Sequence, residues 1–394
     1  MEAVLIISNY YPPEKGAAAN RIEQLALKLQ QQHYDVSVIC PLANYPKGEV
    51  FPAYKGRFFV KENLDGIAVS RLWISPSVSK NIFKRILSIL SFSTSLFFFL
   101  LFKKTPQKVI VQSPPLLLSF ISVFVLSLKG KKIILNVSDL WPLAAIELNA
   151  LKSGTFSHKL LLFLERFIYK NATLILGQSN EIITHVQEIV PGKKCFLYRN
   201  FPDHQIDNFA VPTDTNPKIK LFYAGLLGVA QGVLAVCEKI NLENTNIEFH
   251  IFGDGAEKTQ LEQYLKNHPQ KNIVFHGMLD RNDLLKRLET FDIALVPLQS
   301  RIYGSVPSKI FEYGALGIPS LYFGGGEGEN IVATNKLGWV AKVGDFEDLN
   351  AKLREISAIG KTQIQDMRKT VFATAQTQFN LELQIQAAIA ENIF

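Results

Sequence analysis

The feature of this sequence that most constrains its fold is an alternation of short apolar segments with longer helical ones, which occurs twice along the 394 residues. The short segments are rich in Val and Ile, which is typical of strands buried on both faces. Such strands, separated by helices, form parallel sheets with helices on both sides. The sequence therefore predicts an α/β chain with two doubly wound, Rossmann-like domains.

The first domain is predicted to span residues 1–205. Its predicted strands are residues 3–8, 35–40, 67–73, 108–112, 132–137, 173–177 and 195–198. Its predicted helices are residues 18–31, 84–102, 116–128, 157–169 and 180–188.

A linker rich in Pro, Asp, Thr and Asn is predicted at residues 202–217, and the second domain at residues 206–377. Its predicted strands are residues 220–224, 248–252, 273–276, 293–296, 320–323 and 339–342. Helices are predicted at residues 233–239, 256–267, 282–288, 308–316, 327–333, 346–356, 361–377 and 381–392. Sheets of this kind bind ligands outside the carboxyl ends of their strands, so we expect the two domains to face each other across a binding cleft.

The charge of the chain is unevenly distributed. The formal net charge is +7, yet the first 208 residues alone hold 24 Lys and Arg against 14 Asp and Glu. This excess indicates an anionic partner, either a membrane surface or a nucleic acid. The basic residues are scattered and form no recognition helix, which argues against nucleic acid.

The cysteines and the amino terminus bear on the compartment. Cys40, Cys195 and Cys237 are far apart and form no CxxC pair, which is typical of a reducing compartment. The first strand is predicted to begin almost at Met1, with no signal-peptide pattern before it. We therefore expect a cytoplasmic location.

Residues 86–102 form an almost wholly apolar stretch that basic pairs bracket, at residues 84–85 and 103–104. Residues 116–128 form a second apolar stretch, followed by three lysines. Three interpretations remain open. The helices can lie in the headgroup plane of an anionic membrane, they can be buried crossover helices, or the first can span the bilayer. A span would separate strands of one sheet, which argues against it.

The strongest candidate for chemistry is a loop that enters a helix at Ser305, Val306, Pro307, Ser308 and Lys309. Ser308 is predicted to cap this helix, and free amides at its start suit a diphosphate. Glu312, one turn into the helix, is positioned to accept hydrogen bonds from two ribose hydroxyls, and Lys309 to neutralise phosphate. The alternative is an ordinary amphipathic helix with Glu312 in solvent.

Glycine-containing turns follow several strands of the second domain. Gly253, Asp254 and Gly255 form a tight strand-to-helix turn where backbone can approach a nucleotide, and Gly225 and Gln231 are candidates to line its diphosphate. A further run of glycines at residues 324–328 opens another helix. Each turn can equally be a structural turn or a mobile surface loop.

In the first domain, small and polar residues cluster at two predicted strand ends. Gly16, Asn20 and Arg21 follow the first strand, while Asp139 and Trp141 follow residues 132–137. A carboxylate beside an indole can accept a proton or orient a sugar hydroxyl. The alternative is a packing corner in which Asp139 caps the next helix. The seven histidines show no metal-ligand spacing, and no metal site is predicted.

Taken in order along the chain, these segments resemble the family 4 retaining glycosyltransferases of GT-B fold, most closely those of bacterial O-antigen, capsule and exopolysaccharide assembly. The segments that carry the resemblance are Tyr10-Tyr11-Pro12-Pro13, Ser113-Pro114-Pro115-Leu116, Asp139-Leu140-Trp141-Pro142, Gly253-Asp254-Gly255 and Val306-Pro307-Ser308-Lys309 with Glu312-Tyr313.

The resemblance implies a hexosyl- or N-acetylhexosaminyltransferase that needs no metal. A nucleoside-diphosphate sugar, commonly a UDP-sugar, would bind the second domain, and an acceptor, often a polyprenyl-diphosphate glycan, the first. Residues 378–394 would return to the first domain. Such an enzyme would lie at the inner face of the cell membrane, with residues 86–102 as its contact.

The chain departs from that family pattern at three positions. Glu312 matches the second of two paired glutamates, but the first falls on Gly304, and the cations that usually clamp the diphosphate fall near Leu226 and Gln231. The histidine usually invoked beside the sugar falls at Ser138. We therefore expect Lys309, with Arg301, to supply phosphate charge, and Asp139 to take the polar role beside the acceptor.

Two other functions remain open from the sequence. A UDP-sugar epimerase of the same fold would use carboxylates and histidines around the sugar and would need no lipid-facing helix. A non-catalytic subunit that binds nucleotide without transfer would explain the missing glutamate and cations.

Overall fold

The computed structural model describes residues 1–77, 82–203, 209 and 217–394. The chain divides into two compact units. Unit 1 comprises Met1–Arg199 and Glu382–Phe394, and unit 2 comprises Asn200–Leu381. Residues 204–208 and 210–216 of the predicted linker lie outside the described residues.

Unit 1 is built on an eight-stranded sheet with the order β3-β4-β2-β1-β5-β6-β7-β8, parallel except for β3 against β4. Its strands are β1 (Ala3–Ile7), β2 (Asp35–Pro41), β3 (Phe59–Leu64), β4 (Ile67–Leu72), β5 (Lys108–Ser113), β6 (Lys132–Val137), β7 (Leu174–Gly177) and β8 (Cys195–Leu197). Its helices are α1 (Ala17–Gln31), α2 (Ile82–Phe102), α3 (Leu116–Leu128), α4 (Leu143–Glu147), α5 (Phe156–Asn171) and α6 (Asn180–Ile189).

Unit 2 has a parallel six-stranded sheet with the order β11-β10-β9-β12-β13-β14. Its strands are β9 (Ile219–Leu226), β10 (Ile247–Asp254), β11 (Ile273–Gly277), β12 (Ile293–Pro297), β13 (Ser320–Phe323) and β14 (Gly338–Val340). Its helices are α7 (Val233–Lys239), α8 (Lys258–Asn267), α9 (Arg281–Leu288), α10 (Lys309–Ala315), α11 (Gly326–Thr334) and α12 (Phe346–Gln378). The last helix, α13 (Leu381–Ala390), belongs to unit 1 except for its first residue.

The predicted α/β class and the strand positions are confirmed, because buried Val and Ile runs set the strands of both sheets. One strand and one α-helix of unit 1 escaped prediction. Strand β3 lies at a sheet edge and buries none of its side chains fully, so its sequence carries no apolar pattern. Helix α4 has only five residues. In α12, Gly360 has a φ of 76°, which divides the helix into the two predicted segments.

The last residues of the chain belong to unit 1 and contact the rest of it through polar side chains. Gln384 Nε2 donates to the Arg199 carbonyl at 2.9 Å, and Gln384 Oε1 accepts from the Arg199 amide at 2.8 Å. Gln32 donates to Glu382, also at 2.8 Å. These bonds place the final helix beside α1 and the end of β8.

Helices α2, α3 and α5 form one layer on unit 1, and its outer surface is strongly apolar. The stretch Phe83–Phe102 is long and apolar enough to cross a membrane by length and composition, but it connects β4 to β5 of one sheet and packs on α3. Less than a third of its most apolar 18-residue segment is buried. We call the exposed side chains the apolar face: Phe83, Ile86, Leu87, Leu90, Phe98, Leu101, Phe102, Phe124, Leu128, Phe156, Leu160 and Phe163.

A stack of aromatic rings crosses β10 and β11 in unit 2. The His276 ring lies between His250, at a centroid distance of 5.2 Å, and Phe252, at 4.5 Å. His250 Nδ1 and His276 Nε2 are 2.9 Å apart, a hydrogen bond that requires at least one neutral ring. Burial lowers the pKa of His276 to about 4, and the neighbouring His250 and Arg287 act in the same direction.

We predict that acid weakens unit 2 through this stack. The folded-state pKa of His276 lies below that of the unfolded chain, so the unfolded state binds the extra proton and stability falls as the pH drops from about 6.5 towards 4. His276→Phe and His276→Gln should both reduce the fall in the thermal midpoint between pH 7.5 and pH 5, measured by circular dichroism. An unchanged pH dependence in both variants would contradict this account.

Candidate functional site

The carboxyl ends of the unit 2 strands bring most of the predicted donor residues to one edge of the sheet. Helix α10 begins there, directly after the loop that contains Ser305, Val306 and Pro307. Ser308 is the N-cap residue of α10, as predicted, but the contacts at the helix start differ from the prediction. Ser308 has helical dihedral angles and its side chain caps no amide, and the Ile310 amide already donates to the Pro307 carbonyl. The helix start is therefore not a full set of free amides.

Lys309 is the central contact of this edge. Its ammonium donates to the carbonyl of Ala224 and lies 4.4 Å from the ring centroid of Tyr223. Burial lowers the pKa of Lys309 to about 8, and the charge of Glu312 opposes that shift. The ammonium thus fixes α10 to the end of β9 while it stays mostly protonated at neutral pH.

Glu312 lies in the first turn of α10 and is partly exposed. One of its oxygens accepts from Arg281 at 2.9 Å, and the Arg281 side chain is 53% exposed. Arg281 was not foreseen, since it begins α9 and meets Glu312 only through the tertiary fold. A ligand that hydrogen-bonds Glu312 must share or displace this exposed ion pair.

The glycines at the ends of β9 and β10 are required by the packing of the chain itself. Gly225 pairs with Gly253, and a Cβ on Gly253, where φ is 149°, would lie 1.8 Å from the Gly225 carbonyl oxygen. A Cβ on Gly225 would lie 2.0 Å from the Lys309 ammonium, and one on Gly255 2.3 Å from the Leu227 carbonyl oxygen. Close backbone contact therefore explains Gly253 and Gly255 without a ligand.

Three further predicted residues lie at the same edge. Asp254 is exposed, accepts from the Gly255 amide at 2.8 Å and lies 3.7 Å from Lys258. Gln231 lines a cavity of about 90 Å³, and within the described part of the chain its buried Oε1 has no hydrogen-bond partner. Arg301 lies 5.4 Å from the ring centroid of Tyr303 and beside the backbone of Gly326, where a Cβ would meet it.

In unit 1, the predicted acceptor residues lie at the carboxyl edge of that sheet. Asp139 is exposed after β6, and Trp141 follows it. Surrounding protein raises the pKa of the Asp139 carboxyl, while Arg21 and a hydrogen bond with Ser138 oppose the rise. Burial lowers the pKa of Arg21 and the charge of Asp139 opposes that shift, so the two side chains are near enough for their charges to interact. Gly16 and Asn20 lie at the start of α1, where the Asn20 amide donates to the Gly16 carbonyl at 3.0 Å.

Two buried charges hold the loop after β1, and neither was singled out from the sequence. Glu14 accepts from the backbone amides of Asn44 at 2.8 Å, Tyr45 at 2.9 Å and Tyr11 at 3.3 Å. Arg71 is fully buried, pairs with Glu62 at 2.5 Å and donates to the Pro12 carbonyl. Strand β3 has no apolar pattern and β4 contains a single charged residue, so no periodic signal in the sequence pointed to this pair.

No group of three or more His, Cys, Asp or Glu side chains able to hold a metal ion occurs among the residues that the structure describes.

Comparison with known proteins agrees with this architecture. Residues 199–370 match the family described as Glycosyl transferases group 1. The curated Probable glycosyltransferase WbjE of Pseudomonas aeruginosa is 23% identical over 407 residues, covering 96% of this chain and 95% of that protein.

Solved structures have the same fold over the whole chain. Sucrose-phosphate synthase from Thermosynechococcus elongatus has a TM-score of 0.76 at 14% identity, covering 100% of this chain and 99% of that one. Anabaena Alr3699/HepE in complex with UDP and glucose has a TM-score of 0.67 at 13% identity, with the same coverage.

We predict that strand packing, and not a ligand, makes glycine necessary at the end of β10. Gly253→Ala should destabilise the ligand-free protein by roughly 3 kcal/mol or more, because its Cβ would overlap a backbone oxygen. Gly277→Ala is the matched control. It also has a positive φ, of 72°, but open space around it, and should cost about 1 kcal/mol. Urea unfolding measures both, and equal costs would disprove the explanation.

Proposed function

We propose that unit 2 of this chain, a glycosyltransferase of GT-B fold similar to the family 4 enzymes, binds a UDP-linked sugar as the donor. The proposal extends to transfer of a hexosyl or N-acetylhexosaminyl group, with retention of anomeric configuration, to a lipid-linked glycan acceptor in cell-surface polysaccharide synthesis. The observation that carries it is the meeting of Lys309, Glu312 and Gly225 at the carboxyl edge of the unit 2 sheet. Ligands of doubly wound sheets bind at such edges.

In this proposal Glu312 accepts hydrogen bonds from the ribose hydroxyls, in competition with Arg281. Lys309 and Arg301 supply positive charge towards the diphosphate, while Gly253, Asp254 and Gly255 border the base. Because the Lys309 ammonium already holds the Ala224 carbonyl, it acts from a fixed position, and a fixed charge costs little reorganisation when negative charge develops nearby. The proposal assigns no role to a metal ion.

The transfer step needs few groups from the protein. The bond between the anomeric carbon and the diphosphate oxygen breaks, and the bonding pair leaves with UDP. The acceptor oxygen bonds to the anomeric carbon on the same face, and its proton passes to the departing phosphate oxygen. Asp139, in unit 1, orients the acceptor hydroxyl with Arg21 and Trp141 beside it. Positioning and charge stabilisation then lower most of the barrier.

We also propose that the protein binds peripherally to the inner face of the cell membrane through the apolar face of α2, α3 and α5. Phe83, Phe102, Leu128 and Phe156 are each about three-quarters or more exposed there. A continuous surface of this kind is typical of an interaction site on a soluble domain. A lipid-linked acceptor would then be presented in the plane where the enzyme lies.

The epimerase and the non-catalytic subunit are the competing functions. The curated relative and the matched family are glycosyltransferases, which favours transfer. The proposal is tested with UDP-GlcNAc, UDP-glucose and UDP-galactose, each with and without a polyprenyl-diphosphate-GlcNAc acceptor. Transfer predicts glycosylated lipid and UDP only when acceptor is present. Conversion of UDP-GlcNAc without acceptor would instead support epimerisation, and UDP binding without turnover a non-catalytic subunit.

For the donor half, we predict that Glu312→Gln weakens UDP binding about tenfold to a hundredfold. The ribose hydroxyls would then donate to a neutral amide and not to a charged carboxylate, and hydrogen bonds to a charged acceptor are the stronger ones. Glu262→Gln, an exposed carboxylate on α8, is the control and should leave the affinity unchanged. Arg281→Ala frees Glu312 and should not weaken binding. Calorimetry with UDP measures all three, and wild-type affinity in Glu312→Gln would overturn the assignment.

For the acceptor half, we predict that Asp139→Asn lowers kcat by about a hundredfold and leaves the donor KM unchanged, because Asp139 belongs to unit 1. Since the pKa of Asp139 is raised, the acid limb of the kcat profile should lie above the usual range of an aspartate and vanish in the variant. Asp35→Asn, at the opposite edge of the same sheet, is the control. Full kcat in Asp139→Asn would refute the role.

A further inference from the structure

A pocket rich in lysine lies where α2 and α3 end and where β5 and β6 begin. Its volume is about 400 Å³, and it is lined by Phe102, Lys103, Lys104, Thr105, Lys129 and Lys131. We call this the lysine pocket. It is separate from the candidate site, because it lies at the amino ends of β5 and β6, whereas Asp139 follows the carboxyl end of β6.

The positive charge of the four lysines exceeds the partial negative charge of the backbone around them. Lys129 donates to the carbonyls of Leu100 and Lys103, the latter at 3.0 Å, and Lys131 donates to the Thr105 carbonyl at 2.9 Å. These neutral oxygens fix the ammonium groups at the end of α2. Each helix C-terminus is equivalent to about half a negative charge, so two ends account for about one of the four positive charges.

No carboxylate offsets the remainder. In the described ranges of the chain, none of the four lysines forms an ion pair with Asp or Glu. Lys103 and Lys104 are exposed, so their ammonium groups can turn into the pocket. Four clustered cations with no counter-charge favour an anion with several oxygens, and a phosphate group meets that requirement.

The rim of the pocket distinguishes a lipid phosphate from a soluble one. Phe102 and Leu128 are 76% and 74% exposed, and Phe98 and Leu101 on the last turns of α2 are also exposed. A free phosphate gains nothing from these side chains. An anionic phospholipid supplies a phosphate for the lysines and acyl chains for the apolar rim.

The distance of the pocket from Asp139 argues against the acceptor diphosphate as its occupant. Lys131 directly precedes β6 and Asp139 follows it, and a strand of six residues spans about 20 Å. A phosphate in the pocket is therefore far from a sugar held at Asp139. The site serves attachment and takes no part in the transfer itself.

We propose that the lysine pocket binds the headgroup phosphate of an anionic membrane phospholipid and thereby fixes how the apolar face sits on the bilayer. The inference rests on the proposed membrane attachment. It adds a second contact of different chemistry, which makes attachment depend on lipid charge as well as on the apolar surface.

The test is flotation of the full chain with vesicles of phosphatidylcholine, with or without 30% phosphatidylglycerol. The pocket variant is Lys103→Glu with Lys104→Glu, at two exposed positions where folding is not at risk. The charge-matched control is Lys266→Glu with Lys369→Glu, at exposed positions of unit 2. Phe98→Ser with Phe102→Ser tests the apolar face.

The wild type should bind the anionic vesicles at least tenfold more tightly than the neutral ones. The pocket variant should lose at least tenfold on anionic vesicles and the control less than threefold. Equal losses in pocket and control variants would show a general charge effect and overturn the pocket. If the pocket variant binds as the wild type while the serine variant does not, attachment stands and the pocket fails.

A second arm separates lipid from free phosphate. Dihexanoyl phosphatidylglycerol below its micelle concentration should raise the thermal midpoint of the wild type but not of the pocket variant, and inorganic phosphate at equal concentration should raise neither. Equal stabilisation by inorganic phosphate would overturn the lipid assignment. Absence of wild-type binding to any vesicle would overturn membrane attachment and the pocket together.

Discussion

The contact on which the candidate donor site depends is the one between the Lys309 ammonium and the Ala224 carbonyl. It joins the start of α10 to the end of β9, two segments far apart in the sequence. A hydrogen bond from a charged donor contributes about 1.5–3 kcal/mol, and here it also fixes the turn that carries Glu312. A Cβ on Gly225 would displace the ammonium from this position, and a Cβ on Gly253 would overlap the backbone carbonyl oxygen of residue 225. The carboxyl edge of the unit 2 sheet is thus ordered by the Lys309 hydrogen bond together with the close contact between β9 and β10.

In unit 1, buried charges order the loop at the carboxyl edge of the sheet. The loop after β1 has few apolar side chains to hold it, and the Glu14 carboxylate receives three backbone amides from that loop and from the segment after β2. The buried Arg71 donates to the Pro12 carbonyl of the same loop and forms an ion pair with Glu62. The carboxyl edges of both sheets are therefore ordered by polar contacts, while the Val and Ile of the strands supply the core. Such ordering suits edges that receive polar ligands, because the groups are in place before the ligand arrives.

The strand and helix order was predictable because burial on both faces of a parallel sheet leaves a strong apolar pattern. The same logic fails for β3, an edge strand without a buried face, and for the ion pair of Glu312 with Arg281, which depends on how α9 and α10 pack. Ser308 is the N-cap residue of α10, as predicted, but its dihedral angles are already helical and its side chain makes no capping hydrogen bond. The role of the glycines at strand ends could not be decided from the sequence, because close strand packing and close approach of a ligand both favour glycine. Lys309 was recognised as important, but its attachment to Ala224 requires the tertiary fold.

The central claim is that UDP occupies the carboxyl edge of the unit 2 sheet. Hydrogen–deuterium exchange of the full chain with and without saturating UDP tests it most directly, since backbone amides report where a ligand binds. The account predicts slower exchange in residues 224–232 and 301–313, with the sheet of unit 1 unchanged. Protection confined to other segments, or none at all at a UDP concentration that saturates binding by calorimetry, would contradict it.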